Sequence, residues 1–165
     1  FEEEGFNVKG IEPDGRNVSM INKKLRKGKV IESSVEEFST DEVFDVIWMS
    51  HVLEHLLEPM NFLKKIKNNL KNDGIFFIEV PNCEYEPMLQ SSIQKNPHLF
   101  HFTTKSLSKL VEKLDYKILS CDVFRPATKS EGMRQKIMKN SFPYYPRIMT
   151  DVHSGRDLRI ILKNS

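Results

Sequence analysis

Short apolar runs alternate with helical spacing along this chain. From Phe6 the run FNVKGI is apolar and β-prone, and EPDGRN after it supplies a turn with Asp14 as a helix cap. Val18, Ile21 and Leu25 then recur at helical spacing among Lys and Arg, Gly28 closes the helix, and KVIES reads as a second strand. That pattern predicts a βαβ unit. FDVIWMS gives a third strand, and Pro59 stands in the first turn of a helix on which Phe62, Leu63, Ile66 and Leu70 share a face before KNDG stops it at Gly74. IFFIEV follows, continuous in its hydrophobicity as a strand buried on both faces must be, and completes a second βαβ unit. The pattern loosens over 83–101 and returns in TTKSLSKLVEKLDY, where Leu107, Leu110, Val111 and Leu114 share a face. Strands YKILSCDVF and DLRIILKN close the chain.

Between those last two strands the character changes. From Arg125 to Arg147 there are six basic residues against one acidic residue, with Pro126, Pro143 and Pro146 and the aromatics Phe142, Tyr144 and Tyr145. The region 125–150 therefore reads as an insertion, either a lid over an anionic or sugar-like substrate or a solvated surface loop. The remainder predicts an α/β fold: a doubly wound, mostly parallel sheet with an antiparallel C-terminal edge, in a single domain over residues 1–165. A chain of this length buries roughly two-thirds of its unfolded surface in one core.

Composition narrows the function classes. Hydrophobic residues make up 39% and charged residues 29%, with no apolar run near the length of a membrane span. Lys plus Arg number 25 against 23 Asp plus Glu, so a net charge of +2 gives no electrostatic reason to expect nucleic acid. The two cysteines, Cys83 and Cys121, lie far apart in a chain without a signal peptide, which points to reduced thiols and a cytoplasmic setting. Oligomeric state is not legible.

Ligands of doubly wound sheets bind at the carboxyl ends of the strands. Glu12 stands at the end of the first strand, where a carboxylate can accept both hydroxyls of a ribose. Ser50 and His51 end the strand FDVIWM, and Asn82 and Tyr85 follow IFFIEV, so polar and aromatic groups gather on one rim. The stretch HVLEH, His51 to His55, also spells the H-x-x-E-H pattern of inverted zinc proteases, in which two histidines one helical turn apart hold a metal. That reading needs the motif inside a helix and a third ligand downstream. HVLEH begins within two residues of a strand, so Glu54 and His55 read instead as structural groups of a helical turn and its rim, and no metal is expected.

The order GFNVKGIEPD, then FDVIWMSHVLEHLLEPMNFLKKIKNNLKNDGIFFIEVPN, then HLFHFTTKSLSKLVEKLDYKI resembles the class I S-adenosylmethionine-dependent methyltransferases, in the branch acting on small molecules such as quinone precursors and sugars. The resemblance covers roughly residues 5–124. It implies S-adenosylmethionine as cofactor, with Glu12 on the ribose hydroxyls, Ser34 and Val35 at the adenine, and Ser50 and His51 at the methionine part. Ser34 departs from the acidic residue usual in that slot. The resemblance also implies a substrate pocket faced by His98, with His101, Asn82 and Tyr85 beside it.

A further departure is the family's glycine-rich loop, G-x-G-x-G, which has no counterpart among the seven scattered glycines. With no initiator methionine in FEEEGFNV, the expectation is a chain incomplete at its amino end, the missing strand and loop lying on the order of 30–40 residues upstream.

Methyl transfer from a sulfonium asks the protein to align an acceptor and, for oxygen or acidic carbon, to take its proton. Histidine suits that step, with His98 first and His51 next. Met49-Ser50-His51-Val52 is unlike the N/D-P-P-Y motif of nucleic-acid amino methyltransferases, which tilts the acceptor towards oxygen or carbon of a small molecule. Two other readings stand beside this one: a methyltransferase-like module that binds without catalysis, and a zinc hydrolase using His51, Glu54 and His55.

Overall fold

The computed structural model describes residues 1–94, 98–128 and 147–164. It forms two compact units, Phe1–Glu42 and Val43–Ser165. Most of the insertion expected at 125–150, with its aromatics, lies outside the described residues.

In the first unit a 3-10 turn, Glu2–Glu4, leads to β1 (Lys9–Glu12), α1 (Gly15–Asn22) and β2 (Lys29–Glu32). The two strands pair in parallel from Lys9↔Lys29 to Glu12↔Glu32, the expected βαβ unit. Asp14 caps α1 by accepting from the Arg16 amide at 2.8 Å. The helix ends at Asn22 rather than at Gly28. Asn22 accepts from the Val30 amide at 2.8 Å and donates to the Val30 carbonyl at 2.9 Å, so its side chain ties the helix end to β2. Beyond it the Glu2 carboxylate accepts from the amides of Arg26, Lys27 and Gly28, and these bonds hold its carboxyl below the usual range.

The second unit contains β3 (Phe44–Ser50), a 3-10 turn at Leu53–His55, α2 (Pro59–Lys67), β4 (Leu70–Pro81), α3 (Glu86–Gln94), α4 (Thr104–Glu112), β5 (Tyr116–Pro126), β6 (Arg147–Thr150) and β7 (Asp157–Asn164). They form a five-stranded sheet in the order β3-β4-β7-β5-β6, parallel between β3 and β4 and antiparallel elsewhere. The antiparallel part expected at the C-terminus is thus present, with β7 inserted between β4 and β5 rather than at the edge. Phe76, Ile78 and Val80 of β4 pair with Leu162, Ile160 and Leu158 of β7, and all six are fully buried. Each such side chain contributes roughly 1.5–3 kcal/mol by leaving water. Leu63, Ile66, Leu107 and Val111, from α2 and α4, add to this core, and the Tyr116 hydroxyl donates to the Leu63 carbonyl at 2.9 Å.

Three local expectations are corrected. Helix α2 stops at Lys67, and Leu70 already belongs to β4. The Phe44 amide draws Asn69 into the sheet at 2.8 Å, and the Asn164 side chain donates to the Leu70 carbonyl at 2.9 Å. Gly74 therefore sits inside the strand, near the shift of register that separates Phe44↔Leu70 from Val46↔Ile75. Residues 86–94, read as loose, are helical, and they give no helical signal in the sequence because α3 buries only Ser92. The short strand β6 pairs with the end of β5 from Val123↔Thr150 to Pro126↔Arg147.

Candidate active site

In the second unit the carboxyl ends of β3 and β4 and the start of β7 reach one rim. Registration sets Ser50 beside Glu79 and Glu79 beside Arg159. Ser50 Oγ donates to Glu79 Oε1 at 2.7 Å and Arg159 Nε donates to Glu79 Oε2 at 2.5 Å. Burial pushes the Glu79 carboxyl up, but the hydrogen bonds from Ser50 and Arg159 and the charge of Arg159 outweigh it and hold Glu79 below its ordinary value. The guanidinium in turn lies 4.6 Å over the Phe124 ring, which fixes its plane. Glu79, buried in the sheet, is an anchor that joins three strands.

His51 leaves β3 with φ 53, a left-handed conformation that costs a non-glycine residue on the order of 1 kcal/mol. Its amide donates to the Glu79 carbonyl at 2.9 Å. Its ring lies between two carboxylates, with Nδ1 3.4 Å from Glu54 Oε1 and Nε2 3.6 Å from Glu79 Oε1. The Glu54 contact, against an opposing effect of burial, raises the His51 pKa.

Glu54 sits in the 3-10 turn Leu53–His55, so His51 and His55 do not share a helical face and the zinc-protease arrangement is absent. The Glu54 carbonyl accepts from the amides of Leu99 and Phe100 at 2.9 and 3.1 Å, which brings His98 over the turn. The Glu54 side chain is 1% exposed, and neither carboxylate oxygen has a hydrogen-bond partner among the described residues. At 3.4 Å the approach of His51 is a charge contact rather than a full hydrogen bond. The His55 and His98 rings meet edge to face at 4.6 Å. Buried Ser92 lies 2.6 Å from His98 Nδ1 and 3.0 Å from His101 Nδ1. Burial lowers the His98 pKa, opposed by Glu54 and reinforced by His55 and His101. A ligand atom from each of Glu54, His55 and His98 lies within 4.8 Å of the others.

These groups open on a cleft of about 450 Å³ that Met88, Arg156 and Asp157 also line. Of the residues expected at the substrate, His98 lines it directly and His101 joins through Ser92 while remaining exposed. Asn82 has another task. Its side chain is fully buried and donates to the carbonyls of Val152 and Gly155 at 2.7 and 2.8 Å, so the amide holds the loop before β7 instead of facing a ligand. Tyr85 is half-buried at the turn opening α3, where its carbonyl accepts from Met88 and Leu89. Burial raises the Cys83 thiol, leaving it a packed group rather than a nucleophile. Arg156 and Asp157 have no sequence signal beyond their place at the head of a strand, and Ser92 has none.

In the first unit Glu12 ends β1, and Ser34 and Val35 follow the end of β2 on the same edge. Glu12 Oε1 accepts from the Asp14 amide at 3.1 Å and Asn17 Nδ2 at 3.2 Å, which orients the carboxylate without engaging Oε2 among the described residues. A half-buried carboxylate with one oxygen steered and the other open fits the hydroxyl pair of a ribose. Ser34 Oγ accepts from the Glu37 amide at 3.2 Å and donates to Glu37 Oε2 at 3.1 Å, which places a carboxylate beside Ser34.

A family described as "Methyltransferase domain" matches residues 1–121. The chain belongs to that family. This methyltransferase domain is 36% identical over 56 residues to (S)-coclaurine N-methyltransferase of Papaver somniferum, a match covering 34% of the chain and 16% of that protein. It is 25% identical over 83 residues to the ubiquinone biosynthesis O-methyltransferase of Rickettsia akari, covering 48% of the chain and 33% of that protein. The matches span a third or less of these curated relatives. A SAM-dependent methyltransferase from Archaeoglobus fulgidus shares the fold, with a TM-score of 0.72 and 18% identity over 99% of this chain and 78% of that one. The expected Rossmann-like methyltransferase fold is therefore observed. No helix among the described residues of the domain is long and apolar enough to cross a membrane.

Proposed function

We propose that this domain transfers a methyl group from S-adenosylmethionine to an oxygen or carbon of a quinone-, sugar- or metabolite-like small molecule. The observation that carries the reading is the cleft at the strand ends, which gathers His51, His55 and His98 around a buried carboxylate. Glu12 suits the ribose hydroxyls, Ser34 and Val35 the adenine, and Ser50 and His51 the methionine portion. When bound, S-adenosylmethionine supplies an electrophilic methyl on a sulfonium. The chain's own contribution is alignment and proton removal. His98, steered through Nδ1 by Ser92, presents Nε2 to an acceptor hydroxyl, and His51, held between Glu54 and Glu79, is the second proton acceptor. Arg156 and Asp157 supply charge for a polar acceptor at the mouth. The relative named a ubiquinone biosynthesis O-methyltransferase supports an oxygen acceptor, whereas the one named an N-methyltransferase points to nitrogen. The free thiols Cys83 and Cys121 support a reducing, cytoplasmic setting.

Calorimetric titration of S-adenosylhomocysteine into the full chain and its Glu12→Ala variant tests this reading. A hydrogen-bonded charge contributes about 1.5–3 kcal/mol, so the variant should bind about 10- to 100-fold more weakly. Absence of binding to the unaltered chain would leave a methyltransferase-like module without catalysis as the better account.

A further inference from the structure

We propose that Glu54, His55 and His98 bind a divalent first-row metal cation, zinc or a congener such as cobalt or manganese, at the floor of the cleft. The inference rests on the donor set alone and competes with the methyl-transfer reading for one atom: with a metal on His98 Nε2, proton removal falls to His51. Its first support is the state of Glu54. A carboxylate buried to 99% with neither oxygen hydrogen-bonded is costly unless a positive charge compensates it, and His51 does so only by a contact at 3.4 Å. The second support is that two imidazoles, half-buried His98 and exposed His55, stand beside the buried oxygens, all three side chains offering ligand atoms within 4.8 Å. One carboxylate and two histidines form a donor set suited to zinc and to the borderline divalent cations.

The tautomer is favourable too. Ser92 Oγ lies 2.6 Å from His98 Nδ1, and donation from Nδ1 to that hydroxyl leaves the Nε2 lone pair for a metal. The same hydroxyl reaches His101, so Ser92 orients the ligand from behind. Bonds of about 2.0–2.2 Å place tetrahedral ligand atoms roughly 3.3 Å apart, so binding requires closure by about an ångström or more from the present spread. Rotation of the exposed His55 ring, which meets His98 edge to face, would supply that closure. His51 is excluded from the set because its left-handed backbone and its two carboxylate neighbours hold its ring in place. Three protein ligands leave a coordination position towards the cleft, where water or an oxygen donor of a bound small molecule can enter.

The test is titration of the chelator-stripped full chain with cobalt(II), followed by visible absorption, with zinc added as competitor. Expected are one cobalt per chain, bands of a low-coordinate nitrogen and oxygen site, and displacement by zinc. Glu54→Gln and His98→Asn should each weaken binding about 100-fold or more, and Ser92→Ala about 10-fold. His98→Asn alters a side chain outside the apolar core, so it serves if Glu54→Gln does not fold by circular dichroism. Failure of the unaltered chain to bind cobalt stoichiometrically would overturn the proposal, as would unchanged affinity in His98→Asn. Cobalt binding without S-adenosylhomocysteine binding would support the metal site while counting against methyl transfer.

Discussion

Replacing Glu54 with methionine should stabilise the metal-free protein, an unusual outcome for a fully buried position. The carboxylate is 1% exposed and neither oxygen is hydrogen-bonded, so the folded state carries an ion desolvation penalty of several kcal/mol. Against it stands one contact to His51, whose side chain is 46% exposed, so solvent screening holds the attraction to about 1 kcal/mol or less. The backbone tie is kept, because Leu99 and Phe100 donate to the Glu54 carbonyl and not to its side chain. Methionine matches glutamate in length, is flexible enough to fill the same space, and adds apolar burial. The balance favours the variant by about 1–3 kcal/mol, within the range found when buried ionic groups give way to apolar ones. Urea unfolding in chelator, followed by circular dichroism, should show a midpoint about 1 M higher for a gain of 2 kcal/mol at a slope near 2 kcal/mol per molar. Added zinc should then stabilise the unaltered protein and leave the variant unmoved. A midpoint lowered by the equivalent of about 1 kcal/mol would refute the reasoning, since it would mean that Glu54 is compensated within the fold.

Two further perturbations test the frame of the cleft. Asn82→Ala removes donors to the Val152 and Gly155 carbonyls and an acceptor from the Glu84 amide, a loss of about 2–4 kcal/mol in urea unfolding. Unchanged stability would show that the loop before β7 is held by other means. In Gly155→Ala the new methyl would meet Val123 Cγ1 at 2.1 Å and the Phe124 carbonyl at 3.0 Å, so overpacking of about 1–3 kcal/mol is expected. Val123→Ala in the same chain should recover part of that loss, and no recovery would place the strain in the backbone.

Elements with strong periodicity were legible because their burial is local. IFFIEV is apolar but for Glu79, and residues 76–80 are all buried in the sheet. The cap at Asp14 likewise resides in neighbouring residues. Boundaries set by distant partners were not legible. Helix α2 ends where Phe44 and Asn164 recruit the chain into the sheet, and β6 exists only through pairing with β5. Helix α3 escaped notice because it buries a serine, and that serine is the group that orients two histidines.

HVLEH shows how far a motif reaches without its geometry. Its spelling invites pairing of His51 with His55, and in an α-helix those side chains would project together. Here His51 is in the left-handed region and the next residues tighten into a 3-10 turn, which separates the pair and turns the His51 ring between Glu54 and Glu79. The partner that reaches His55 instead is His98, more than forty positions away, brought there by two amides bonding one carbonyl. Such a contact leaves no trace in local spacing. What did mark the place was chemical: a glutamate and histidines immediately after an apolar strand, where the carboxyl end of a parallel sheet puts its ligands. The residue types therefore pointed to the cleft, whereas the turn geometry decided which of them come close to one another.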